Sequence, residues 1–111
     1  MKIEDVKKGM RVTVETEVQF RYVDHLTRPN YKSLVRVDPI EPHKRGIVIG
    51  VSIRSTGTRH SGYDQYEPAY LNVDKQYTVI VIEPLGNGRK YLLPFVALPE
   101  DVEPFGRNND S

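Results

Sequence analysis

Residues 10–22, Met-Arg-Val-Thr-Val-Glu-Thr-Glu-Val-Gln-Phe-Arg-Tyr, decide the fold. Their even positions are Met10, Val12, Val14, Thr16, Val18, Phe20 and Tyr22, and their odd positions are Arg11, Thr13, Glu15, Glu17, Gln19 and Arg21. Side chains on a strand point alternately to its two faces, so this stretch has one apolar and one polar face, as a half-buried antiparallel strand requires. Helical spacing would scatter the same residues around the axis. Laid flat, the stretch would span about 40 Å, more than the width of a small domain. The strand therefore has to coil or break, and Thr16 is the expected place.

Further strands lie outward from it. In residues 45–54, Ile47, Ile49, Val51 and Ile53 alternate with Val48, Gly50 and Ser52, and the mid-strand Gly50 predicts a bulge or a close backbone approach. Residues 34–37 are a third candidate. Residues 76–83 are apolar on both faces, with Tyr77, Val79 and Val81 against Ile80 and Ile82, which predicts a central strand covered on both sides. Asn87-Gly88 then predicts a type I′ hairpin turn into a return strand over 89–96, ending at Pro94 or lying at an edge. Residues 24–33 and 55–69 read as loops. Short helical turns are expected only near 3–8 and 97–102, the second starting at Pro99.

Composition agrees with the pattern. The 111 residues include 14 Val and 7 Ile but 7 Leu and only 2 Ala, a bias toward residues that suit a pleated surface over strong helix formers. The length suits one domain, expected over 1–105, with a disordered tail over 106–111. There is no cysteine, which excludes disulfides, thiolate metal sites and cysteine nucleophiles. No apolar run reaches the roughly 20 residues of a membrane span. The opening Met-Lys-Ile-Glu-Asp lacks the apolar core of a signal peptide, so a cytoplasmic location without a membrane partner is expected. The net charge is +1, with −3 over residues 100–111 and +4 over the remainder.

Val6-Lys7-Lys8-Gly9-Met10-Arg11-Val12, then Arg45-Gly46-Ile47-Val48, then a strand–turn–strand ending at Leu92 or Leu93, resembles the layout of SH3-like barrels of the KOW and Tudor type. The resemblance covers the core strands. It implies a binding module, and because such barrels take RNA, DNA, peptides or proteins, the fold alone does not choose among them. The expected architecture is all-β: a small, strongly twisted antiparallel barrel or sandwich with long loops.

Candidate site residues concentrate in the two loops. One carries Arg28, Tyr31 and Lys32, and the other Arg54, Arg59, His60, Tyr63, Tyr66 and Tyr70. Arginine forks hold phosphate, and tyrosine rings stack on unpaired bases or anchor protein interfaces. Asp64 and Glu67 stand among the tyrosines and would repel phosphate, which favours a protein partner. His25, His43 and His60 lack ligand-like spacing, so no metal is expected. Ser61, His60 and Asp64 are too close in sequence to build a fixed triad. The expectation is a non-enzymatic binding or adaptor module without a cofactor, acting on a protein through loops 24–33 and 54–70. One alternative is a small barrel that binds RNA or single-stranded DNA. The other is a structural or assembly protein of a virus or mobile element, with copies pairing as a homo-oligomer. Whether the two loops share a surface is left open by the sequence.

Overall fold

The alternating stretch becomes two strands, β1 (Arg11–Val14) and β2 (Glu17–Val23). The break falls at Glu15 and Thr16, where the Glu15 N–H donates to the Asp101 carbonyl at 2.8 Å. The computed structural model describes residues 1–23, 30–40, 43–60, 70–85 and 93–105. The remaining strands are β3 (Tyr31–Val37), β4 (Arg45–His60), β5 (Tyr70–Pro84), β6 (Phe95–Ala97) and β7 (Val102–Pro104). Two 3-10 turns, Ile3–Asp5 and Pro99–Asp101, lie where helical turns are expected.

All pairings are antiparallel. The sheet order is β3-β2-β6-β5-β4-β1-β7, and β3 also pairs with β4. This second pairing closes the circuit β2-β6-β5-β4-β3 into a five-stranded barrel, an arrangement compatible with an SH3-like fold. Before the break the first strand pairs with β4 and β7; after it, with β3 and β6. The break thus lets one alternating segment serve both sides of the molecule.

The core has two parts. Val12, Val14, Val48, Ile80, Ile82, Phe95, Ala97 and Val102 form the larger cluster. Val18, Val79 and Leu98 form the smaller one, with Phe20, Leu34, Tyr77 and Val96 packed against it. Val79 belongs to one cluster and Ile80 and Ile82 to the other, all at 0% exposure. β5 is therefore the doubly covered strand expected of residues 76–83, and each such buried side chain contributes about 1.5–3 kcal/mol.

Four expectations need correction. First, Val51 and Ile53 are exposed while Val48 is buried. The β4–β5 register shifts between Val48 and Gly50, leaving Ile49 as an extra residue, so Val51 and Ile53 come to the face that Val48 shares with Ile82 and Ile80, and no longer to that of Ile47. The bulge sits beside Gly50, as its mid-strand position suggests. Second, Glu17 is buried despite belonging to the polar row. Third, the return strand β6 follows Pro94 instead of ending there; the Asn87-Gly88 turn lies outside the described residues, as does the tail 106–111. Fourth, Tyr31–Ser33 and Ser55–His60 are strand, not loop.

The fourth correction sets the shape. β4 has 16 residues and β5 has 15, about 50 Å of strand. They extend beyond the β5–β6 pairing as a paired arm, whose far part carries the β3–β4 pairing that closes the circuit. The radius of gyration is 16.7 Å, against about 13 Å for a compact chain of this length. Among the described residues, no helix is long and apolar enough to cross a membrane.

Candidate functional site

The two segments read as loops begin and end on the arm. Tyr31 pairs with Thr58 and Lys32 with Gly57, while Arg59 pairs with Leu71 and His60 with Tyr70. The Arg59 N–H donates to the Asn30 carbonyl at 2.9 Å. The feet of both connections, 24–29 and 61–69, therefore stand side by side at one end of the molecule. Arg28, Tyr63 and Tyr66 lie outside the described residues.

Strand alternation divides the remaining candidates between two faces. Tyr22 and Lys32 are register partners, and the Lys32 Nζ lies 6.0 Å from the Tyr22 ring centre. The Arg59 guanidinium reaches the same ring at 5.9 Å. This face carries two cations around one half-exposed tyrosine. Among the described residues, neither Lys32 nor Arg59 makes an ion pair.

The opposite face carries Tyr31, His60 and Tyr70. The His60 and Tyr70 rings stack with centres 4.9 Å apart and planes at 22°. The Tyr31 hydroxyl donates to the Asp74 carboxylate at 2.5 Å. Tyr70 remains 61% exposed. This face is aromatic and close to neutral.

Arg54 stands apart. Its partner on β5 is Tyr77, and its Nη1 donates to the Ser52 hydroxyl at 2.6 Å. It lines an open groove of about 720 Å³ with Phe20, Lys32, His43 and Phe95. Below this groove the Glu17 carboxylate accepts from His43 Nδ1 at 2.7 Å, and the His43 ring stacks on Phe95 at 4.3 Å. The Arg36 guanidinium is held by Asp101 at 2.7 Å and Glu100 at 3.3 Å. Among the described residues, no three His, Asp or Glu side chains converge as metal ligands.

Sequence reasoning missed Tyr22, Asp74 and the Glu17–His43 pair. Tyr22 ends the alternating row next to a polar connection, a position where an aromatic residue outruns the core. Asp74 and the Glu17–His43 pair had no local signal, because their partners are remote in the chain.

Gly57 holds the three strands together. A Cβ there would collide with the Asn72 backbone carbonyl, and two backbones cannot yield as a flexible side chain can. Gly57→Val is expected to cost about 1–3 kcal/mol in urea unfolding. Hydrogen exchange should quicken at 54–60 and 70–76 while the amides of Ile80 and Ile82 stay protected.

Comparison with protein-family models, curated proteins and solved structures gives no match. The class that the fold defines is a small closed antiparallel β-barrel extended by a β-arm.

Proposed function

We propose that the chain is a non-enzymatic binding module whose arm docks a protein partner. The observation that carries this reading is the Tyr31–His60–Tyr70 face at the common foot of the two connections. Tyrosine and histidine offer large, stiff, amphipathic surfaces, which protein interfaces favour. Tyr70 is exposed enough to enter a partner's pocket, while its ring is held in place by His60.

Assembly by edge pairing between copies is the weaker reading. Among the described residues, β5 has no strand partner on its outer side from Tyr70 to Val79. That edge is guarded, however. The register shift between Thr56 and Gly57 makes Asp74 an extra residue, and Lys75 follows it. A bulge and a charge both hinder a second strand from pairing there.

The test is a photo-reactive phenylalanine derivative placed at Tyr70, and separately at the exposed Lys8 on the barrel, in cells of the source organism. The expected result is a crosslink to a second protein from position 70 and none from position 8. Equal crosslinking from both positions, or none from either, would overturn the reading.

A further inference from the structure

We infer that the other face of the arm, built by Tyr22, Lys32 and Arg59, is a separate site for single-stranded nucleic acid. The inference does not rest on the protein-docking reading; it concerns residues on the opposite face.

Charge is the first argument. The described part of the arm, from the second half of β2 through Lys75, carries Arg21, Lys32, Arg54, Arg59 and Lys75. Against these stands one acid, Asp74, which accepts from Tyr31 on the other face. Arg36, by contrast, is held by two acids and His43 by Glu17. Lys32 and Arg59 meet no carboxylate among the described residues, yet both converge on one ring.

The ring is the second argument. Tyr22 is 51% exposed, so part of its surface is open to a ligand. Its neighbours are cations at 6.0 and 5.9 Å, rather than the apolar side chains that surround Phe20. A half-open aromatic ring flanked by long cationic side chains suits an unpaired base on the ring with its phosphates on the ammonium and guanidinium groups. A duplex hides its base faces and could use only the cations. Single-stranded nucleic acid is therefore the ligand class that uses all three groups.

The third argument is position. Lys32 and Arg59 sit on adjacent strands locked together by the Lys32–Gly57 pairing. The site is thus held by paired backbone, with little ordering left for a ligand to impose.

The experiment is fluorescence anisotropy of the intact chain with labelled 12-nucleotide probes: oligo(dT), oligo(rU), and a mixed-sequence DNA duplex. Binding of the single strands is expected at 50 mM salt. It should weaken roughly sevenfold at 200 mM, the change expected when two phosphates are neutralised on a single strand. Tyr22→Leu should weaken single-strand binding about fivefold or more, with duplex binding little changed. Lys32→Gln/Arg59→Gln should abolish most of the salt dependence. Circular dichroism checks that each variant keeps its strands, which the exposure of Tyr22 makes an easy condition.

Three results would overturn the inference. One is no anisotropy change with any single strand at low salt. Another is single-strand binding that Tyr22→Leu leaves untouched, which would mean a general polyanion surface. The third is full binding by the Lys32→Gln/Arg59→Gln variant. None of these bears on crosslinking from position 70, so the two readings fail separately.

Discussion

His43→Ala is expected to destabilise the protein by about 1–3 kcal/mol, read as a fall in the urea midpoint at neutral pH. Glu17 is 6% exposed, and His43 Nδ1, 2.7 Å away, is its hydrogen-bond partner. Removing the imidazole leaves a carboxylate buried without that partner and strips a stacked ring from Phe95. The pair is costly to break but not costly to replace. A Glu17→Leu/His43→Leu double variant should recover most of the loss, because apolar groups of similar volume need no compensation. The coupling is isolated by the full cycle of Glu17→Leu, His43→Leu and the double variant. A single-variant loss below about 1 kcal/mol would mean that water reaches the carboxylate.

Ile80→Ala should cost about 2–5 kcal/mol by the same measurement. Ile80 has 0% exposure and lies in the larger core cluster, between β4 and β6. The informative control is Ile53→Ala. Ile53 is 62% exposed, so its truncation should stay within about 0.5 kcal/mol. In sequence the two isoleucines look alike, each in an alternating apolar row. Equal losses would contradict the exposure of Ile53.

That contrast shows what the sequence disclosed and what it hid. The break at Thr16 was legible because thirteen alternating residues exceed the width of the domain. The double burial of β5 was legible because both of its faces are apolar over 77–82. The turn at Pro99 was legible because proline suits the start of a helical turn. The exposure of Val51 and Ile53 was not legible, since apolar side chains in a strand read alike whether or not another element covers them. Residues 55–60 read as a loop because Ser-Thr-Gly-Thr-Arg-His is polar and contains glycine. They are strand because residues 70–75 pair with them, an arrangement no local pattern reveals. The candidate residues Tyr31, Lys32, Arg59, His60 and Tyr70 were found by chemistry, and all five lie at one end. Their division into an aromatic face and a cationic face required the register.

The pairing of β1 with β7 also governs how the chain reaches its native state. β1 pairs with β7, Val12 opposite Pro104 and Val14 opposite Val102, across about four-fifths of the sequence. Val12, Val14 and Val102 all lie in the larger core cluster, so that cluster cannot be completed until residues 102–104 have left the ribosome. The long β4–β5 pairing can form earlier, but its buried rows then wait for a cover. Closing so large a loop before the contacts repay it places the protein among slow folders, on the millisecond-to-second scale of barrels dominated by remote pairings. During that interval Ile80 and Ile82 are exposed on a nascent sheet, and the charged, bulged edge at Asp74 and Lys75 protects the chain from pairing with its neighbours.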